Sequence, residues 1–151
     1  MTEGSLACRF CEIATGKGAA HIAWQTRALT VFADHAPIRP GHVQIIPRAH
    51  YPFFDDLPEA LAAQIITLGQ RIARVQKAIY GVKRVGFVFT GHDVAHCHAH
   101  VIPLHRADDV TSMRYFEAEA LPKAQPRVVG AAEQAAAARE LAHALALEGV
   151  E

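Results

Sequence analysis

Three histidines recur at every second position in one short stretch of the chain, and apolar residues follow them. The alternating run is His96, Cys97, His98, Ala99 and His100. Alternation predicts a strand through these residues, with three imidazoles on one face and Cys97 in the core on the other. Same-face neighbours stand about 7 Å apart, so one metal ion cannot bind all three. We therefore expect the imidazoles to divide nucleophilic, acid–base and metal-binding roles, rather than to form a solvated polar face.

Two cysteines near the start of the chain form a second reactive group. Cys8 and Cys11 are separated by two residues, a spacing that suggests metal or redox chemistry in a cytosolic protein. Two thiolates can bind one tetrahedral zinc ion but need two further ligands. A free dithiol or a redox pair stays open as an alternative, although the βαβ context of a thioredoxin-like motif is missing.

Composition places the chain among ordinary globular proteins. It has 151 residues, 51% of them hydrophobic, and a formal net charge of zero. We expect one domain over residues 1–151. The chain has no basic stripe for nucleic acid and no apolar run of about 18 residues for a membrane span. Without a hydrophobic signal core, the sequence predicts a cytoplasmic protein.

The hydrophobic pattern predicts the elements that must position these residues. A short helix is expected over residues 8–15, a hairpin of two strands over residues 21–33, and a third strand over residues 42–47. Asp55 or Asp56 is expected to cap the long helix that follows. Apolar residues in this helix recur at steps of four and three, at Leu61, Ile65, Leu68, Ile72, Val75 and Ile79.

The second half of the chain adds two strands and a further helix. A strand over residues 83–90 leads into the histidine strand, and the short connections predict an α+β fold with a mostly antiparallel sheet under the long helix. Residues 121–126 are expected to be a linker. Residues 131–147 predict an alanine-rich helix anchored by Leu141 and Leu145.

The motif His96-x-His98-x-His100, followed by Val101, Ile102 and Pro103, resembles that of the histidine triad (HIT) family of nucleotide hydrolases and transferases. The resemblance covers residues 8–104 and leaves residues 105–151 as a C-terminal extension. It implies a five-stranded sheet, a homodimer and a small-molecule nucleotide substrate.

The resemblance also implies roles for individual residues. His98 matches the family's nucleophile, which attacks the α-phosphate and forms a covalent nucleotidyl-histidine, while its other ring nitrogen faces a backbone carbonyl. His100 and His42 match histidines that contact the phosphate. Asp34 matches the aspartate that binds the ribose hydroxyls. Three apolar residues fall where the family lines its base pocket, although each would also serve as core: Phe10, Ile13 and Phe32.

A zinc-binding branch of the family carries the same pair of cysteines. In that branch the remaining two ligands correspond to His50 and His96. The resemblance therefore implies a structural Zn²⁺ held by Cys8, Cys11, His50 and His96, with no open position for water.

The chain departs from many family members at His92 and Asp93. Those members have glutamine and then serine or threonine at these positions, and both side chains donate hydrogen bonds to phosphate. His92 can replace the glutamine as a donor. The carboxylate of Asp93 would repel phosphate, so it is expected to orient a histidine or to face away. Adenosine or another purine nucleotide derivative is the expected substrate of this phosphoramidase or dinucleoside polyphosphate hydrolase.

Two other functions remain open from the sequence. In a zinc-dependent metallohydrolase, His96 and His98 would hold a catalytic ion, with His42 or Asp34 as the third ligand. In a non-catalytic nucleotide-binding module, Asp93 would have abolished the chemistry while a nucleotide still binds.

Overall fold

The computed structural model describes residues 8–91, 93–107, 109–110 and 129–149. A single five-stranded sheet has the strand order β1-β2-β3-β5-β4, and every neighbouring pair is antiparallel. This confirms the predicted α+β fold. The elements in chain order are α1 (Arg9–Ala14), β1 (Ile22–Gln25), β2 (Leu29–Ala33), β3 (Val43–Pro47), a 3₁₀ turn (Phe54–Asp56), α2 (Glu59–Tyr80), β4 (Arg84–Phe89), β5 (Ala99–Leu104) and α3 (Ala131–Leu147).

The strand register gives the sheet two different faces. On the face toward α2, apolar residues form the main core together with the helix; one row across the sheet is Val31, Ile45, Ala99 and Phe89. The opposite face carries polar residues; one row there is Phe32, Gln44, His100 and Val88. Because side chains alternate along each strand, the sheet separates a packing face from a face available for chemistry.

Helix α2 covers the packing face through its apolar stripe. The four central residues of the predicted stripe are buried: Ile65, Leu68, Ile72 and Val75. The helix ends at Gly81, which adopts a left-handed φ of 64° that suits glycine. The predicted aspartate cap is wrong, because Pro58 is the N-cap residue and both Asp55 and Asp56 belong to the preceding 3₁₀ turn.

The predicted histidine strand is shorter than expected, since β5 begins only at Ala99. His98 turns its ring back to the carbonyl of His96 (2.7 Å), which competes with a strand ladder for that carbonyl. The backbone N–H of Cys97 donates to the carbonyl of Tyr51 (2.6 Å). The prediction that three imidazoles share one strand face is therefore wrong for His96, although Cys97 does lie in the core.

Helix α3 packs against α2 and against strands β1 and β2. Its buried residues are Ala138, Leu141 and Leu145, which include both predicted anchors. The expected linker over residues 121–126 lies outside the described residues. Within the described parts of the chain, the longest apolar helices fall short of what a membrane crossing requires.

Candidate active site

His98 lies buried immediately before β5, with only 4% of its surface exposed. Its Nδ1–H donates to the carbonyl of His96 at 2.7 Å, which is the kind of partner expected from the resemblance. In a neutral imidazole this bond leaves the lone pair on Nε2. Burial is the main cause that lowers the pKa of His98, so the ring is neutral near pH 7. The residue therefore presents a neutral nitrogen nucleophile.

A chain of hydrogen bonds connects His98 to the two other histidines. The backbone N–H of Ile38 donates to Nδ1 of His42 (3.1 Å), which places the proton of His42 on Nε2. That Nε2 lies 2.9 Å from Nδ1 of His100. The Nε2–H of His100 then donates to Oγ1 of Thr90 (3.1 Å), and the Thr90 hydroxyl donates to Nε2 of His98 (3.0 Å). One direction of donation satisfies every member of the chain.

Asp34 lies beside this chain and is 5% exposed. Its Oδ2 accepts a hydrogen bond from Gln44 (2.6 Å) and lies 3.4 Å from His42 and 3.5 Å from His100. Its Oδ1 accepts the backbone N–H of Ala36 (2.8 Å). Burial alone would raise the pKa of Asp34, but these neighbours hold it well below its usual range. The carboxylate is therefore ionised beside the neutral imidazole of His42.

Burial is also the main reason why the pKa of His42 falls to about 4, although the carboxylate of Asp34 opposes the shift. The nearby His100 lowers the pKa further. His42 therefore stays uncharged and can donate its Nε2–H to Nδ1 of His100, which agrees with the direction of donation described above.

A cavity of about 360 Å³ opens on the far side of Phe10 from His98, lined by both apolar and polar residues. Phe10, Ile13 and Phe32 all line it, and all three are also buried in a small cluster with Ile46. The ring of Phe10 lies 5.2 Å from that of His98, so one ring separates the cavity from the nucleophile. A larger cavity of about 720 Å³, between the β1–β2 turn and α2, is lined by none of the predicted site residues.

The four predicted metal ligands converge on one point. The donor atoms of Cys8, Cys11, His50 and His96 all lie within 4.8 Å of one another. Sulfur-to-Nδ1 distances are 3.4 Å (Cys8 to His96), 3.3 Å (Cys11 to His50) and 3.5 Å (Cys11 to His96). A tetrahedral zinc ion with ordinary bond lengths separates sulfur from nitrogen by about 3.5 Å, so the donor set fits zinc.

The surroundings of this group orient its ligands. The Nε2–H of His96 donates to the carbonyl of Pro47 (2.9 Å), which leaves Nδ1 as the ligand atom. Burial, followed by the neighbouring Cys8, raises the pKa of the Cys11 thiol to about 11. Two adjacent thiolates thus need a cation to stabilise them, and a bound ion would tie α1 to the segment before β5.

Two residues predicted to lie near the phosphate remain, His92 and Asp93. His92 lies outside the described residues. Asp93 is exposed, and its charge acts to raise the pKa of His98 against the effect of burial.

Sequence reasoning missed two residues that hold the site together. Thr90 follows the last residue of β4, and the pairing of Phe89 with Ala99 brings it next to His98. Gln76 is fully buried on α2 and donates to the carbonyls of Gly41 and Val101, which adjoin His42 and His100 in the sequence. A glutamine on the apolar face of a helix is a signal that could have identified the second residue.

Comparison with known proteins agrees with this arrangement. A model of the HIT domain matches residues 16–107, which is more than half of the chain. The protein therefore belongs to the HIT family. An uncharacterized HIT-like protein of Methanocaldococcus jannaschii is 29% identical over 111 residues, which cover 67% of this chain and 81% of that protein.

Two further relatives bear on chemistry and structure. The adenosine 5'-monophosphoramidase of Saccharomyces cerevisiae is 29% identical over 98 residues, covering 64% of this chain and 62% of the yeast enzyme. The crystal structure of a zinc-bound histidine triad family protein from Mycobacterium smegmatis superposes with a TM-score of 0.76 and 26% identity. That alignment covers 98% of this chain and 100% of the other.

Proposed function

We propose that the protein is a nucleotide hydrolase or nucleotidyltransferase that acts at the α-phosphate through a covalent intermediate on His98. The observation that carries this proposal is the orientation of the His98 ring. Its Nδ1–H is fixed on the carbonyl of His96, and burial keeps the ring neutral, so Nε2 holds a lone pair at neutral pH. A neutral, oriented imidazole is what attack on a phosphate requires.

In the first step, Nε2 of His98 forms a bond to the α-phosphorus while the bond from phosphorus to the leaving group breaks. The leaving group departs with the electron pair and takes a proton from the chain formed by Thr90 and His100. The same donors stabilise charge on the phosphate oxygens. Because the Thr90 hydroxyl covers Nε2 of His98 in the free protein (3.0 Å), it must turn toward the phosphate before the attack.

In the second step, water attacks the phosphorus and releases the nucleoside monophosphate. The phosphorus–nitrogen bond breaks, and its electron pair returns to His98. The proton lost by the water restores the chain of Thr90 and His100, while the Nε2–H of His42 holds His100 in its tautomer. Another acceptor in place of water would give transfer rather than hydrolysis.

An adenosine 5'-phosphoramidate is the substrate that we propose first, because the yeast relative is an adenosine 5'-monophosphoramidase. A dinucleoside polyphosphate offers the same α-phosphate with a different leaving group. Phe10, Ile13 and Phe32 would hold the base in the adjoining cavity, and Asp34 would bind the ribose.

The structure offers little support for a catalytic metal on the histidines. Nδ1 of His96 faces the cysteines and its Nε2 faces the carbonyl of Pro47, so His96 has no nitrogen to share with His98. Asp34, His42 and His100 also cluster within 4.8 Å. However, Nδ1 of His42 accepts a backbone N–H, and its Nε2 therefore carries a proton rather than the lone pair that a metal needs.

We also propose that Cys8, Cys11, His50 and His96 hold a structural zinc ion, and that the protein is a cytoplasmic homodimer. A bound zinc ion would cross-link these four residues and would have no open coordination position for a substrate or water. The dimer is favoured because β4 lies at an edge of the sheet, close to exposed apolar side chains. The exposed side chains of this region are Phe54 (50%), Ile66 (47%) and Phe87 (39%). An exposed apolar patch beside an open sheet edge favours pairing with a second copy.

The experiment that tests the activity is a steady-state assay with adenosine 5'-phosphoramidate and three variants. We expect His98→Ala to abolish turnover, and Thr90→Val to lower kcat at least about tenfold because it removes the hydroxyl. His143→Ala changes an exposed histidine on α3 and should leave turnover unchanged. Turnover by His98→Ala would contradict the proposal. If the wild-type protein binds the nucleotide without turnover, and Asp93→Ser gains turnover, the protein is a nucleotide-binding module instead.

A further inference from the structure

The cavity beside His98 has a wall that the HIT-domain match does not include. Phe10, Ile13 and Phe32 form much of its apolar part. Gln134 of helix α3 adds to a polar part that also includes Arg9, His21 and His35. The match to the family model ends at residue 107, whereas α3 begins at Ala131. Its volume of about 360 Å³ lies within the range typical of small-molecule sites. The C-terminal extension therefore adds a group to this cavity from outside the matched domain.

The amide nitrogen of Gln134 faces two backbone carbonyls. Its Nε2 donates to the carbonyl of His35 at 3.0 Å and to that of Val129 at 3.5 Å. Carbonyl oxygens only accept hydrogen bonds, so the amide nitrogen must face them. The group that Gln134 can offer to a ligand in the cavity is therefore its oxygen, Oε1, which is an acceptor.

The position of Gln134 relates this acceptor to a bound nucleotide. His35, whose carbonyl holds the amide, directly follows Asp34, which is the proposed ribose ligand. Phe10 lines the same cavity and contacts the ring of His98. A nucleotide with its phosphate at His98 and its ribose at Asp34 would extend its base into this cavity, toward α3.

We infer that Gln134 selects nucleobases that carry an exocyclic amino group, so that an adenine nucleotide is preferred over a hypoxanthine nucleotide. This inference rests on the proposed function. The 6-amino group of adenine donates a hydrogen bond, whereas the 6-oxo group of hypoxanthine only accepts one. Two acceptors facing each other leave both unpaired, and a site with a fixed hydrogen-bonding group rejects a ligand that cannot pair with it.

The test compares adenosine and inosine on the full chain. We would measure kcat/KM for the two 5'-phosphoramidates and Kd for AMP and IMP. The wild-type protein should favour adenosine at least about tenfold, which corresponds to one unpaired polar group. Gln134→Met keeps the side-chain length without the acceptor and should bring the ratio close to one. Ala136→Met, at an exposed position of the same helix, should keep the wild-type ratio.

The outcomes separate this inference from the proposed function. Equal use of the two substrates by the wild-type protein, which requires no variant to fold, would overturn the role of Gln134 while leaving the hydrolase intact. A preference that survives in Gln134→Met, with its Tm unchanged, would do the same. If the two nucleotides bind without turnover, the proposed activity fails, and the ratio of Kd values alone decides on Gln134.

Discussion

At the scale of single residues, the tautomer of each histidine follows from a neighbour that can only donate or only accept. The Ile38 amide fixes His42, and the His96 carbonyl fixes His98. The spacing of the triad could predict which histidines meet, because register in a sheet follows from alternation. It could not predict Thr90, since a threonine at the end of a strand has many ordinary uses and its partner comes from another strand.

The buried, neutral state of His42 gives a prediction about stability and pH. Its pKa is about 4 in the folded protein against 6.5 as the ordinary value, so below pH 6.5 the unfolded chain takes up the proton first. The stability present above pH 6.5 is therefore lost as the pH falls toward about 4. At pH 5 the loss from this residue is about 2 kcal/mol.

The measurement is the free energy of unfolding of the wild type and two variants at pH 7 and pH 5. His42→Gln removes the titrating group and should reduce the difference between the two pH values by about that amount. His35→Gln changes a histidine whose side chain is 71% exposed and should behave as the wild type. An equal pH dependence in His42→Gln and the wild type would show that His42 is not held neutral.

At the scale of elements, the proposed zinc ligands join the short helix α1 to the segment before β5. Cys8 immediately precedes this helix and Cys11 lies within it. A helix of six residues is too short to be stable without contacts to the rest of the protein. The spacing of the cysteines predicted a metal site, and the resemblance supplied both histidine ligands. The sequence placed His96 on the strand because its alternation continues through Ala99, but contacts with Pro47 and Cys8 hold it outside.

We expect the purified protein to bind about one zinc ion per chain, and chelation to lower its Tm. Cys11→Ser should lose the ion and show the same lower Tm with or without chelator. Cys97→Ala removes the buried thiol that lies in the core instead, and should retain zinc. Metal analysis by mass spectrometry and thermal unfolding provide the two measurements. Equal zinc content in Cys11→Ser and Cys97→Ala would contradict the assignment.

At the scale of the whole molecule, the sheet and α2 were predictable because each has a clear hydrophobic period, and α3 was predictable from the high helix propensity of its alanines. The packing of α3 against α2 and β1 could not be predicted, because an alanine-rich helix has no clear apolar stripe to mark its buried face. Its burial of Leu141 and Leu145 supports the proposal that residues 1–151 form one domain. The approach of Gln134 to the cavity follows from that packing, so sequence alone could not have found it.

The proposed homodimer is tested at this scale by its mass in solution. The chain of 16.4 kDa should sediment with twice that mass. Ile66→Glu places a charge on the exposed apolar patch beside β4 and should shift the protein toward the monomer. Leu147→Glu changes a side chain that is 78% exposed at the end of α3 and should leave the dimer intact. A wild-type monomer at micromolar concentration would contradict the proposal.

The central claim is that His98 becomes covalently attached to the nucleotide, and intact-mass spectrometry after rapid acid quenching tests it most directly. With adenosine 5'-phosphoramidate we predict a transient gain of one adenylyl group, which is absent in His98→Ala and present in His143→Ala. Peptide mapping should place the group on residue 98. Turnover of the substrate with no adduct at any quench time, or an adduct that survives in His98→Ala, would contradict the account.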